Sequence, residues 1–206
     1  AAGILLGRPI ATFMTKIGEI INWGVEKQPL VMGIVVSLLM GIALTLPISS
    51  AAIGISLKLS GLAAGAATIG CCANMIGFAV ASFKENKFGG FIAQGIGTSM
   101  IQMPNIIKKP VIWLPAIVSS ALLGPVSTCL LKMTSNAKGA GMGTCGFVGQ
   151  IMTYETMTSQ GISSNIVIIQ IVIMHFLLPG VVALVVSQFL RKKGIIKDGD
   201  MKIEVN

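Results

Sequence analysis

Charge is absent from five long stretches of the chain, residues 28–57, 59–83, 88–107, 110–131 and 156–190. A helix needs about 20 mostly apolar residues to cross the hydrocarbon core of a bilayer. Segments 30–46, 60–83 and 166–190 are apolar on every face. A buried helix of a soluble domain would instead show one apolar stripe at the helical period. The pattern predicts an all-α polytopic membrane protein with four full spans, 30–46, 60–83, 111–131 and 166–190. Pro47 ends or kinks the first span, and LPISSAAIGIS around it is polar enough to be a broken helix. Pro125 can kink the third.

Two further patterns describe how these segments sit. Gly61 and Gly65 are four apart, as are Ala66, Gly70 and Asn74. That is a small-residue stripe for close helix contact, with Asn74 turned toward protein rather than lipid. Residues 3–23 carry Arg8, Lys16 and Glu19 on one side and Leu6, Ile10, Phe13, Met14, Ile17 and Ile21 on the other, with Pro9 in the first turns. They predict an amphipathic helix along the inner interface.

Two uncharged, glycine-rich segments make poor spans. One is FGGFIAQGIGTSMIQMPN, residues 88–105; the other is GAGMGTCGFVGQ, residues 139–150, running on into IMTYETM. They resemble each other, Gly95-Ile-Gly97-Thr98-Ser99 against Gly141-Met-Gly143-Thr144-Cys145. Backbone that leaves the helix at membrane depth must find partners in protein or in a wet cavity. Paired interrupted segments entering from opposite faces point to a transporter's central site. Two re-entrant hairpins are therefore expected, with close helix packing by small residues as the alternative role of the glycines.

Composition agrees: 53% of residues are hydrophobic and 11% charged, against about a quarter charged in soluble domains. The net charge of +8 sits at the flanks of the apolar runs, which suits a bilayer rather than nucleic acid. With the basic stretch RKKGIIKDGDMK placed in the cytoplasm, Arg8, Lys16, Lys27, Lys84, Lys87, Lys108, Lys109, Arg191, Lys192, Lys193, Lys197 and Lys202 lie inside. Only Lys58, Lys132 and Lys138 lie outside. The expected organisation is a membrane domain over 1–190 and a basic cytoplasmic tail over 191–206, both ends cytoplasmic. The chain starts with Ala and is expected to be the C-terminal part of a longer one.

Polar side chains inside apolar runs are the candidates for a site. His175 is the one histidine and lies mid-span, four residues before Pro179. An ionisable residue at that depth is a functional candidate, and a neutral histidine bonded between helices is the alternative. Thr98, Gln102, Asn105, Thr144 and Gln150 belong to the glycine-rich segments, Glu155 follows the second of them, and Asn74 lies on the small-residue stripe. Their amides and hydroxyls offer both donors and acceptors, which suits a neutral polyhydroxyl ligand better than an ion. Cys71, Cys72, Cys129 and Cys145 form no CxxC pair and read as packing residues. No metal site, cofactor or self-contained catalytic set is expected.

The strings LPISSAAIGISLKLSGLAAGAATIGCCANMIGFAVASF, GGFIAQGIGTSMIQMPNI and GAGMGTCGFVGQI, within residues 7–160, resemble a bacterial family of membrane proteins. That family is classed with the IIC permease subunits of the phosphoenolpyruvate-dependent sugar phosphotransferase system and includes perfringolysin O regulator-type proteins. The resemblance implies a multi-pass protein of the bacterial inner membrane that binds and moves a sugar-like solute by alternating access. It further implies IIA and IIB phosphotransferase proteins as partners, and a homodimer is a further expectation. A ligand sensor without transport and a channel are the alternatives.

Overall fold

The computed structural model describes residues 2–203, with side chains from Ala11 onward. Among the described residues the chain is helical throughout, with one isolated β-bridge between Gly61 and Ser135. Helix α1 (Ala2–Lys27) turns at Gln28 into α2 (Pro29–Thr45), which Pro29 starts without sacrificing a backbone bond. Short α3 (Ser50–Ser56) leads to α4 (Gly61–Ala81) and α5 (Phe83–Ile92). A π-turn (Ala93–Gly97), a 3₁₀ turn (Ser99–Gln102) and α6 (Met103–Lys108) follow. Next come α7 (Leu114–Pro125), flanked by 3₁₀ and π turns, α8 (Ala137–Ala140) and α9 (Val148–Ser159). The chain closes with α10 (Ser164–Ile171), a π-turn (Val172–Leu177) that leads into Pro179, and α11 (Leu178–Lys192).

Three helical stretches are long and apolar enough to cross a membrane, Gly61–Ala81, Pro110–Leu130 and Ser164–Lys192; Pro29–Thr45 is a shorter apolar helix. These are the four predicted segments. Amphipathic α1 packs Met14, Ile17, Ile21 and Val25 against the bundle and exposes Lys16 and Glu19. Leu6, Arg8, Pro9 and Ile10 of its predicted pattern fall outside the described side chains.

Helix α4 is the axis of the bundle, buried over almost its whole length. Its small residues let neighbours approach until backbones touch. A Cβ at Gly70 would overlap the Ser37 carbonyl of α2, and one at Gly41 of α2 would meet the Asn74 amide and the Gly70 carbonyl. Polar side chains seal the same seam. Asn74 donates to Gly70 O (3.1 Å) and Ser120 Oγ (3.1 Å), and accepts from Trp113 Nε1 (2.9 Å) and Thr45 Oγ1 (3.3 Å). Ser37 Oγ donates to Ser120 O at 2.8 Å. Without water to compete, small-residue packing and such bonds are what hold helices together in lipid.

These contacts also fix direction. Positions 37, 41 and 45 of α2 meet 70 and 74 of α4 in the same order, so the two run parallel. Against α7 the order reverses, with Gly33 at Gly124 and Thr128 Oγ1 donating to Pro29 O at 2.6 Å. The charge count predicts antiparallel α2 and α4, with Lys27 beside Lys84 and Lys109. The structure corrects this. Lys27 lies at the end of the bundle that holds Lys58 and Lys132, and Asn22 of α1 bonds Lys58 O there. Helix α2 stops level with Asn74, and the chain turns at Pro47–Ser49 and returns through α3. Residues 29–58 thus form a broken hairpin.

The end where Lys84, Lys109 and Arg191 gather is the basic end. Arg191 pairs there with Glu85 at 2.7 Å and Asp198 at 3.1 Å. Beyond α11 the chain folds back rather than trailing away. Ile196 and Met201 are buried among Phe78, Ile106, Ile112 and Leu190, while Lys84–Asp198 and Lys109–Asp200 pair at 2.6 Å.

Replacing Gly70 with Ala should lower stability in detergent by about 1–3 kcal/mol, because a helix backbone must move aside. Gly89→Ala, which meets nothing within 4 Å, should change it little; thermal unfolding of the two variants side by side checks this. A second expectation concerns pH. The hydrogen bond from Lys84, with the charges of Lys84 and Arg191, holds the Asp198 carboxyl below its ordinary pKa against some desolvation. For Asp200 burial raises the pKa, but bonds from Lys109 and the Lys197 N–H, with both lysine charges, outweigh it. A depressed folded pKa gives stability that is complete above the unfolded value of about 3.9 and lost as pH falls through the folded one. A nitroxide at Lys197→Cys, which leaves the Lys84, Arg191 and Lys109 partners in place, should therefore be immobile from neutral pH down to about 4 and mobile only as pH falls well below the ordinary carboxylate value of about 3.9.

Candidate functional site

Helix α4 supplies a fixed wall, and three interrupted segments meet against it. The first interruption follows α2, where Pro47 has no N–H to give. Ser49 caps α3 by accepting from Ala52 N at 3.2 Å. The second is the tip of the hairpin formed by residues 83–108. There Thr98 is extended (φ −160°) and accepts from Met100 N at 3.1 Å, capping the 3₁₀ turn. The third lies between α8 and α9. Asn136 caps α8 through Lys138 N and Gly139 N, both at 3.1 Å. Gly143 then adopts φ +52°, with a Cβ position only 2.7 Å from Cys71 of α4, so both backbone and space demand glycine.

Short hydroxyl side chains tie these interruptions in pairs. Ser50 Oγ donates to Gly141 O at 2.6 Å, joining the first to the third. Thr45 Oγ1 and Ser99 Oγ lie 2.8 Å apart, joining the first to the second. Thr144 Oγ1 donates to Gly95 O at 2.5 Å, joining the second to the third. Between them is a cavity of about 150 Å³, to which Ser49, Ser50, Thr98 and Cys145 bring polar groups and Met75 and Met100 apolar ones. No charged side chain lines it.

The sequence-predicted residues divide into five groups. Thr98 lines the cavity and Thr144 stands at its edge, fully buried. Asn74 lies behind the wall in the helix seam, with its amide committed to protein partners. Gln150 and His175 meet each other, Gln150 Nε2 to His175 Nδ1 at 3.0 Å, with Cys72 Sγ at 3.4 Å. With the amide nitrogen facing Nδ1, the arrangement fits the imidazole tautomer that carries its proton on Nε2. Gln150 Oε1 is buried without a protein partner. Gln102 and Asn105 face the folded-back tail at the basic end, donating to Met201 O and Lys202 O, each at 2.9 Å. Glu155 is exposed on α9, two turns from the interruption.

Ser49, Ser50, Thr45 and Ser99 were not among the predicted site residues. The signal for the first two was the pair of serines after Pro47, in the stretch read as a broken helix. Gln94 is another addition. It is fully buried next to Gly95 and donates to Ser82 Oγ (2.8 Å) and Gly90 O (2.9 Å).

The chain matches the family described as "Phosphotransferase system, EIIC" over residues 1–203. It belongs to that family. No curated protein and no solved structure matches it.

The Thr144–Gly95 bond should be measurable through Cys145, which is half-buried at the cavity while Cys71 and Cys72 are fully buried. Thr144→Val keeps the shape and removes the donor. It should raise the rate of Cys145 modification by a water-soluble maleimide several-fold, about what one interhelical bond of ~1 kcal/mol permits. Cys71 and Cys72 should stay unreactive.

Proposed function

We propose that this EIIC-family chain is the membrane permease of a sugar phosphotransferase system, with its solute site at the meeting point of the three interrupted segments. The observation that carries the reading is the triangle of hydroxyl ties, two to backbone carbonyls and one between hydroxyls, around an uncharged cavity. Ser49 and Thr98 each offer a donor and an acceptor there, and Ser50, whose proton goes to Gly141 O, offers an acceptor. That set suits a neutral, hydroxyl-rich solute and gives an ion no counter-charge.

The basic end is assigned to the cytoplasm. Residues 83–108 then enter the membrane from inside as a re-entrant hairpin, and residues 29–58 and 137–159 enter from outside. The ties suggest how such a site opens. Ser50–Gly141 joins the two outer hairpins to each other. Thr144–Gly95 and Thr45–Ser99 join them to the inner one. Breaking the latter two bonds lets the inner hairpin move against the outer pair. Each is worth only about 0.6–1.7 kcal/mol, so solute hydroxyls can replace them at little net cost. A cavity of about 150 Å³ is below the roughly 300–1,000 Å³ of ordinary ligand sites, so admitting a sugar requires that movement. A IIB partner would receive the solute at the basic end for phosphorylation.

The channel alternative loses support from the same bonds. Gly95 O and Gly141 O, two carbonyls that a filter would turn toward an ion, are engaged by Thr144 and Ser50.

Uptake of a labelled sugar panel, in vesicles supplied with the soluble phosphotransferase proteins, tests the reading. At least one sugar should accumulate, and Ser49→Ala and Thr98→Val should each lower its uptake about 2–10-fold, one hydrogen bond apiece. Binding without accumulation would make the chain a sensor, and a saturation-free ion current would make it a channel; either result ends the permease reading.

A further inference from the structure

The folded-back tail is bound to the inner hairpin in a way its basic composition does not suggest. Asn86, on the leading limb, donates from Nδ2 to Met201 O (2.8 Å) and accepts at Oδ1 from Ile203 N (2.8 Å). It thus engages a carbonyl and an N–H two residues apart on one edge of the tail backbone, as a neighbouring strand would. On the returning limb, Gln102 Nε2 also donates to Met201 O and Asn105 Nδ2 to Lys202 O. The tail therefore bridges the two limbs.

The bonding continues inward. Asn105 Nδ2 donates to Gln102 Oε1, and Gln102 Nε2 to Gln94 Oε1, both at 2.9 Å. Gln94 adjoins Gly95, whose carbonyl holds Thr144. Gln102 is fully buried, so tail release would strip Met201 O from an amide that water does not reach easily. Two features mark the leading limb as the part that moves. Lys87, next to Asn86, has φ +52° inside α5, and Gly89 and Gly90 follow it. The outer fastening is ionic, exposed at Lys84–Asp198 and part-buried at Lys109–Asp200 and Arg191–Glu85. Lys84 and Arg191 meet Asp198, and Lys109 meets Asp200, while Glu85 takes the other side of Arg191.

We propose that residues 196–203 are a built-in latch: docked, they hold the limbs of the inner hairpin together and close the cavity from the basic end, and undocked they let that hairpin swing away. This rests on the reading of the cavity as the solute site. Salt or a competing charged surface weakens the exposed Lys84–Asp198 pair most and the part-buried Lys109–Asp200 pair less, so raised ionic strength loosens the latch against the burial of Ile196 and Met201.

The test uses the full chain, with Cys129→Ser, in vesicles. The readout is Cys145 modification by an impermeant maleimide added on the tail side, resolved by peptide mass. Asp198→Lys with Asp200→Lys should raise the rate about 10-fold. Asn105→Cys with Lys202→Cys, oxidised to a disulfide, should lower it below that of the parent and recover on reduction. The cross-link introduces no charge repulsion, so it decides the matter if the double-lysine variant folds poorly. A Cys145 rate indifferent to the cross-link overturns the latch. Sugar uptake is followed in parallel. Uptake that persists while the Cys145 rate ignores the cross-link removes the latch and leaves the permease reading standing. A Cys145 rate that follows the cross-link, in a protein that moves no sugar, upholds the latch and removes that reading.

Discussion

A backbone that stops being helical inside an apolar bundle leaves amide and carbonyl groups that nothing but protein can satisfy. The architecture follows from that need being met twice at one place, at Gly95 O and Gly141 O, with a hydroxyl pair beside them. Each interruption supplies a short hydroxyl or a bare carbonyl, and each takes its partner from another interruption. Serine and threonine side chains reach only one or two bonds from the backbone, so the segments must come almost into backbone contact. Glycine makes that possible. Gly141 has the Ser50 carbonyl where its Cβ would be, and Gly143 lies against Cys71. Glycines and hydroxyls are two halves of one requirement, and neither alone would bring the three segments together.

The same logic explains why α4 carries so little side chain. A helix lined with Gly, Ala and Cys packs α2 and α7 at backbone distance and presents a rigid surface to the mobile parts. Its one large polar group, Asn74, is bonded to residues of its own helix, of α2 and of the α7 stretch. Thr45 connects that hub to Ser99 at the tip of the inner hairpin. The wall is therefore fixed by many bonds, whereas each pair of interruptions is joined by a single hydroxyl tie. The opening proposed above depends on that inequality.

Much of this was legible in the chain. Charge-free runs located the four helical segments, because length and hydropathy are local properties. The glycine-rich pair also declared itself, since glycine next to hydroxyl residues in an apolar run has few uses. The direction of α2 was not legible. Lys27 counts toward the basic side in a charge tally, but α2 is oriented by Gly33, Gly41 and the Thr128–Pro29 bond, contacts with distant residues. The Gln150–His175 pairing, across 25 residues, is likewise non-local. The tail misled for another reason. Its lysines dominate the composition, while Asp198 and Asp200, two acids among them, choose where it docks.

Reversing α2 removes Lys27 from the basic end, and with it the placement of α1's last turns. The asymmetry that supports the proposed orientation survives the loss. Lys84, Lys87, Lys108, Lys109, Arg191, Lys192, Lys193, Lys197 and Lys202 remain on one side, against Lys27, Lys58, Lys132 and Lys138 on the other, with Lys16 added to these since Gly18 lies against Leu57 and with Arg8 outside the described side chains. Part of the first group is neutralised by Glu85, Asp198 and Asp200, yet orientation responds to lysine and arginine rather than to net charge. The acids can therefore serve the fold without disturbing the threading. That separation lets one cluster of charges both orient the bundle in the bilayer and fasten the tail across the inner hairpin.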